Sequence, residues 1–481
     1  MAGIKKPSYM FDMVLFELAD IVGRENVSTR QADKIAYSVD YYWVPELWHD
    51  RGMEKPCPDY IVFPSATDEV SKIMAVANEY KIPVTVWGGG AGSQGGALAV
   101  DGGIILDTKK LNKVYDIDLK SMTADTGAGI IMQHLEDMLE RYGVSTMHIP
   151  ASTYCSTLAG FIVHRGTGVL STRYGKMEDM IVSMEVVLPT GEVINTPVVP
   201  KTASGPDLNW LFIGSEGTLG IITRVKLTLK KLPEVRRFQA FIFKDLASGL
   251  EMGRRLKVEG LRPSVIRLYD EAETRGQVKR VLSIDKKGFY LVYGLEGFAD
   301  IIELESKKAF NIGRELKGED LGENPGKKWW DNRYKFFFPP YCFALPQAYG
   351  TCDTVAAYSD IEKIYWAMKK AAESRFDSIR FIGHFSHWFE WGAMLYARFI
   401  FDDPPEDPHQ ALYQYNEAWN VTVRAALKNG GVINEHHGVG LKLSRFMKEQ
   451  YKDSFKLIKG LKEMVDPKGI LNPYKMGLGK E

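Results

Sequence analysis

The run Trp87-Gly88-Gly89-Gly90-Ala91-Gly92-Ser93-Gln94-Gly95-Gly96-Ala97 constrains this chain more than any other segment, since six of the nine residues from Gly88 to Gly96 are glycine. Without Cβ atoms, backbone N–H groups can converge on one anion, and φ > 0 carries no steric penalty. The run follows directly on the apolar strand pattern Pro83–Trp87, so a buried strand delivers it. No Gly-Lys-Ser/Thr follows, which excludes the nucleotide-triphosphate loop. The run also leads into another strand pattern, Gly103–Asp107, rather than opening a helix with an acidic residue about 20 positions on, which argues against a Rossmann fingerprint. What remains is a nest for a pyrophosphate in some other fold or a flexible glycine linker, and the placement directly after a buried strand favours the nest.

Length and charge set the frame. A chain of 481 residues exceeds the ~250–300 at which one core stops growing, so two or three domains are expected. Lys+Arg and Asp+Glu balance at 61 each, leaving no basic excess for a nucleic-acid backbone. Cys57, Cys155, Cys342 and Cys352 are scattered, form no CxxC motif, and read as reduced thiols. Phe11 to Val22 reads as an amphipathic helix rather than a cleavable leader, and no run reaches the ~18 apolar residues of a membrane span. The expected compartment is the cytoplasm, and the expected assembly a homo-oligomer.

Along the chain, a helical then aromatic segment (1–58) gives way to alternating strands and helices. Tyr60–Phe63 is a strand; Thr67 to Tyr80 is a helix with Thr67 as N-cap and Val70, Ile73, Met74 and Ala77 on one face. Strands at Met180–Leu188, Gly191–Asn195 and Ile221–Leu229 close this region, giving a unit at 59–232. Beyond Pro233 the style changes and a strongly aromatic stretch appears at Trp329-Trp330 and Phe336–Phe343, marking a second unit at 233–431. A helical segment at 432–481 closes the chain. The fold class is α+β.

Three segments sharpen the glycine signal. Pro150-Ala151-Ser152-Thr153-Tyr154-Cys155-Ser156-Thr157-Leu158-Ala159-Gly160 offers hydroxyls and small residues for a ribose or phosphate. Arg173-Tyr174-Gly175 precedes a strand, and Gly214-Ser215-Glu216-Gly217-Thr218-Leu219-Gly220-Ile221-Ile222 is a second glycine-punctuated turn entering one. In this order they resemble the FAD-binding fold of the vanillyl-alcohol oxidase / p-cresol methylhydroxylase superfamily. Arg267-Leu268-Tyr269-Asp270, His436-His437-Gly438-Val439-Gly440 and Asp466-Pro467…Asn472-Pro473 place the resemblance in the branch of D-lactate and glycolate dehydrogenases and alkyl-dihydroxyacetonephosphate synthase.

The resemblance implies a two-subdomain FAD-binding fold, a separate mixed-sheet cap over the substrate, and a C-terminal tail returning to the FAD domain. Gly88, Gly89, Gly90, Ala91, Gly92 and Ser93 would meet the pyrophosphate. Ser152, Ser156, Thr157, Gly160 and His164 would line the adenosine and flavin side, with Glu216, Gly217, Gly220, Ile221 and Ile222 at the adenine end. Relatives with covalent flavin carry a histidine in the glycine loop; Ala91 stands there here, so non-covalent FAD is expected.

Alcohol oxidation needs a base for the hydroxyl proton, and a neutral imidazole suits that role. The tandem His436-His437 before glycines is the best source of one. Arg267 should not lie buried unpaired: it meets a carboxylate of the protein, or it fixes an acid group of the substrate bidentately. Tyr396 is either a half-buried strand tyrosine or, as the synthase-like relatives imply, a proton-transfer group. His384 and His387 sit at i, i+3. The hydroxyacid dehydrogenases imply a divalent metal, for which His384 and His436, with Glu435, are the candidates. The phosphate-binding arginine of the synthases has no counterpart in the apolar Phe336–Tyr341 stretch, which suits a hydrophobic or aromatic substrate instead.

The expected function is therefore FAD-dependent dehydrogenation of a hydroxyacid or alcohol. Electrons would leave to oxygen, a quinone or a redox protein. The alternatives are a redox-neutral synthase-like transferase and a catalytically silent FAD-binding subunit.

Overall fold

The computed structural model describes residues 8–199, 201–336 and 345–479. Three short runs rich in β-branched residues, Tyr60–Val62, Ile104–Asp107 and Val84–Trp87, lie side by side as parallel strands, with Val27–Ser28 antiparallel at the outer edge. Being covered on both faces, they are apolar without alternation. Helix Thr67–Tyr80 buries Val70, Ile73, Met74 and Ala77 against them, the face its periodicity predicts. The glycine run begins where Val84–Trp87 ends, at the carboxyl end of a parallel strand, where open α/β sheets place ligands. Residues 88–103 form the crossover to Ile104–Asp107.

A second, five-stranded antiparallel sheet holds Val114–Asp118, Thr123–Gly127, Ile221–Thr228, Ile181–Val187 and Val193–Asn195, in that order. Val187 and Ile221 share one core with the first sheet, which joins the two. The chain's end also comes back: Leu471 pairs with Val84, and the Val84 and Asn472 amides exchange hydrogen bonds with the Ile470 and Val84 carbonyls at 2.8 and 2.7 Å.

The third sheet has seven strands, ordered Glu319–Gly322, Val235–Phe243, Phe289–Gly297, Val265–Tyr269, Ile379–Trp388, Gly392–Phe401 and Ala348–Ala357. Its first four strands with helices Leu246–Val258 and Ala299–Glu315 make a split β-α-β-β-α-β unit; its last three with helix Ile361–Arg375 repeat half of that unit. One face packs on helices through Phe381, Phe385, Leu395, Ala397 and Phe399. The alternate residues Ile382, Tyr396, Arg398, Ile400 and Thr351 face a cleft toward the glycine turn.

The α+β architecture agrees with the sequence reading, with three corrections. The cap sheet is antiparallel throughout rather than mixed, because each helical crossover skips one position and the next strand fills the gap in the opposite direction. Thr67 is inside its helix; Ala66 holds the cap position, and the Thr67 hydroxyl donates to Glu185 at 2.5 Å. Residues 432–443 form no helix, since glycines and a carboxylate-held turn shape them. Of the aromatic stretch, Phe336 is buried against Tyr269, with ring centroids 5.5 Å apart; 337–343 lie outside the described residues.

The cap's helix packing rests on small residues. A Cβ on Gly253, mid-helix, would stand 2.2 Å from the Trp388 ring, which is fixed by its Nε1 bond to the Ile266 carbonyl at 3.1 Å. Gly253→Ala should therefore lower stability by about 1–3 kcal/mol in urea unfolding, despite the helix-propensity gain. Gly460→Ala, in an exposed helix with nothing within 4 Å, should leave stability unchanged or raise it. Equal effects of the two would refute this packing.

Candidate active site

A cleft of about 810 Å³ runs between the glycine turn and the cap sheet, within the size range of cofactor and substrate sites. All residues named above for FAD, in the glycine turn, the 152–164 wall and the 216–222 turn, line it. The turn fits closely against that wall: a Cβ on Gly89 would stand 1.9 Å from the Cys155 carbonyl oxygen, and one on Gly88 2.5 Å from Thr157 Oγ1. At Gly92 and Gly96 the approach stays open, with His164 Nε2 3.6 and 3.5 Å from the same positions. His164 Nδ1 is bonded to the Gly160 carbonyl at 2.7 Å, which fixes the ring.

Glu216 does something the sequence did not foretell. Its buried carboxylate accepts the Val439 and Gly440 amides, so it holds the histidine loop as well as lining the cleft. Burial raises its pKa, against the pull of His164.

At the cap edge, Asp353 carries the histidine loop. Its carboxylate accepts the Glu435 amide at 2.8 Å, the His436 amide at 3.0 Å, Asn434 Nδ2 at 3.1 Å and His437 Nδ1 at 2.6 Å. Asn434 Oδ1 takes the His437 and Gly438 amides and completes the turn. Burial alone would keep Asp353 neutral; the two histidines hold it well below the usual carboxylate range. His437, tied through Nδ1, keeps Nε2 for the cleft. Its pKa is lowered, burial outweighing Asp353.

His436 lies 3.2 Å from Asp353 and 2.8 Å from Glu435, in hydrogen-bond alignment with neither, and its ring centroid is 3.9 Å from that of His437. Burial opposes its charge, but the two carboxylates raise it to about 9. Charge is thus favoured on His436, which faces two carboxylates, and disfavoured on His437.

Across the sheet, register aligns Asp353 with Tyr396, Tyr396 with His384, and His384 with Tyr269. Tyr396 stacks on His384 at 4.7 Å and meets His437 edge-on at 5.2 Å. His384 does not line the cleft. Its Nδ1 is 3.0 Å from Glu273 and its Nε2 3.3 Å from Arg267 Nη1. Glu273 in turn pairs with Arg398. Arg267, 6% exposed, lines the cleft with its Nε unbonded and, among the described residues, no carboxylate in salt-bridge contact.

The expected metal pair is not brought together: His384 faces an arginine, and His436 faces the other histidines. Among the described residues, the ligand-type atoms that converge within 4.8 Å are those of Asp353, His436 and His437, and of His387, Glu435 and His436. The second group already holds a cation, Lys176 Nζ, 2.9 Å from Glu435. A β-bulge between Phe385 and Trp388 brings His387 within 3.2 Å of Glu435.

Residues 58–197 match the FAD binding domain model, and 232–476 match the C-terminal domain model of FAD linked oxidases. The chain belongs to the FAD-linked oxidases. It is 30% identical over 468 residues to an alkyldihydroxyacetonephosphate synthase of Trypanosoma brucei brucei, covering 90% of this chain and 75% of that one. It is 28% identical to a mitochondrial D-lactate dehydrogenase [cytochrome] of Arabidopsis thaliana, covering 87% and 73%. A solved alkyldihydroxyacetonephosphate synthase superposes with a TM-score of 0.81 at 24% identity, over 98% of this chain and 87% of that one. As an FAD-linked oxidase, the protein takes FAD as cofactor, and the open, Cβ-free glycine turn fits that group. Among the described residues no helix is long and apolar enough to cross a membrane.

Sequence reasoning missed Asp353, Glu273, Arg398 and Lys176. Asp353 and Arg398 were available in principle as charged residues inside apolar strands. Since His436 is raised above its unfolded value of about 6.5, the stability it gains from Asp353 is complete below that pH and is lost as pH rises through about 9. Asp353→Asn should thus be about 3–5 kcal/mol less stable near pH 6, with the gap to the parent narrowing by pH 10. A gap that stays constant in denaturant titrations across this range would contradict the assignment.

Proposed function

We propose that the protein dehydrogenates a 2-hydroxyacid with an apolar or aromatic tail. The observation carrying this reading is the pairing of a cleft-facing imidazole, His437, oriented by Asp353, with a buried cleft-lining arginine, Arg267, that has no carboxylate in contact among the described residues. Gly88–Gly92 would hold the diphosphate of FAD, and with Ala91 in the glycine loop no covalent flavin linkage would form through that loop. When bound, FAD supplies the two-electron acceptor.

Arg267 binds the substrate carboxylate as a fork, and the buried position strengthens that bond. His437 Nε2 takes the hydroxyl proton, and Asp353 stabilises the imidazolium that results. His436, already charged, adds positive potential without competing for the proton. Tyr396 fixes the edge of the pocket beside His437. Ile382, Ile400 and Phe336 line the outer cleft and supply an apolar lodging for the tail.

A redox-neutral, synthase-like reaction is the second reading. Tyr396 favours it, lying between His384 and the tandem histidines where a proton could pass between rings. Anaerobic addition of a panel of D- and L-hydroxyacids and aromatic alcohols to the yellow protein separates the two. A hydroxyacid is expected to bleach the flavin band stably, and His437→Ala to slow bleaching by about 10²–10⁴-fold with flavin retained. Bleaching by none of them would favour the second reading, and an unslowed His437→Ala would remove His437 as base.

A further inference from the structure

Three lysines from separate parts of the chain bond the backbone of the glycine turn and of Leu98 just beyond it. Lys109 Nζ donates to the Gly88 carbonyl at 3.1 Å, Lys442 Nζ to the Ser93 carbonyl at 3.1 Å, and Lys475 Nζ to the Leu98 carbonyl. None of the three lines the cleft. Lys442 and Lys475 are 3% and 0% exposed, so their ammonium groups left water to make these bonds. Lys442 also sits 3.9 Å from the Trp419 ring centroid, with Tyr42 and Tyr415 at 5.3 and 5.8 Å.

In a trans peptide the C=O and the following N–H point opposite ways. Drawing the Gly88 carbonyl back to Lys109 therefore aims the Gly89 N–H away from Lys109, toward the cleft that Gly89 lines. The other two lysines pin the far limb of the turn. Loose carbonyls in such a turn could rotate into the cleft and repel a diphosphate; carbonyls bonded to ammonium groups cannot. We propose that Lys109, Lys442 and Lys475 are positioning residues for the cofactor, forming an ammonium brace that holds the glycine turn in its diphosphate-binding shape.

Lys442 gives the brace a second consequence. It follows the histidine loop, whose Leu441 and Lys442 amides both donate to the Gln94 carbonyl, at 2.9 and 3.2 Å. The turn that binds the diphosphate and the loop that carries His437 are thereby fastened to each other. Burial works against both internal charges, bringing Lys442 to about 7 against the pull of Cys352, Asp353 and Asp40, and Lys475 to about 8 against that of Asp40, Glu216 and Asp101.

The brace rests on the diphosphate lying on the glycine turn, so the experiment tests that placement separately. Full-length holoprotein is dialysed against a series of FAD concentrations, and bound flavin per chain is read from its absorbance. Lys109→Met and Lys442→Met should each weaken FAD binding about tenfold, the loss of a charge-assisted bond. Lys109→Arg, which keeps the cation, should restore it, and far-ultraviolet dichroism of the flavin-free forms should show unchanged unfolding. Lys468→Met is the control, since Lys468 Nζ donates to the Asn78 carbonyl at 2.8 Å, away from the turn. Gly92→Val should lose flavin by filling the approach.

Lysine variants that keep flavin while Gly92→Val loses it would overturn the brace and leave the placement standing. Retention by Gly92→Val as well would overturn both. Should Lys442→Met fail to fold, Lys109→Met, whose side chain is 39% exposed, decides alone.

Discussion

The site depends on one buried carboxylate. Asp353 sits on the edge strand of the cap sheet, wholly enclosed, and takes two backbone amides, one side-chain amide and one imidazole from a loop without helix or strand. A buried charge is tolerated only when its lone pairs are used, and here the histidine loop uses them. The amides of Glu435 and His436, the ring orientation of His437 and, with Glu435, the charge of His436 depend on that group. Removing it would leave a run of polar backbone with no partner and two imidazoles with no fixed tautomer.

From the other side the same loop is held by the FAD-binding half. Glu216 accepts the Val439 and Gly440 amides, and a Cβ at Gly440 would stand 2.1 Å from the Gln94 carbonyl oxygen. The histidine loop is thus a wedge between two carboxylates and a glycine turn, belonging to neither half alone. This explains why its sequence combines tandem histidines with two glycines at positive φ: the first bring chemistry, the second allow the close approach.

What the sequence made legible is what local rules govern. The glycine turn, the hydroxyl-rich 152–160 wall and the 216–222 turn line the cleft together, because backbone approach demands small residues wherever it occurs. The histidine pair was legible for the same reason. The buried charges were not. Glu273 meets Arg398, and Asp353 meets the histidine loop, across 125 and more than 80 residues of chain, pairings that no local pattern encodes. His384 was read as a metal candidate from the resemblance to the hydroxyacid dehydrogenases, and a bulge between Phe385 and Trp388 separates its surroundings from those of His387. His384 falls beneath Tyr396, and His387 turns to the histidine loop. The cap's antiparallel sheet was likewise set by crossovers that skip a strand, a property of topology rather than of any one strand's residues.

In the proposed site FAD would span the cleft, with its diphosphate on Gly88–Gly92 and its ring against the His437 edge of the cap sheet. A crystal structure of the flavin-loaded protein measures this directly. The predicted result is a diphosphate within hydrogen-bonding distance of the glycine-turn amides and a flavin ring within about 4 Å of the Tyr396 and His437 side chains, with Arg267 facing the space above it. A flavin ring turned away from His437, or a diphosphate held elsewhere, would contradict it.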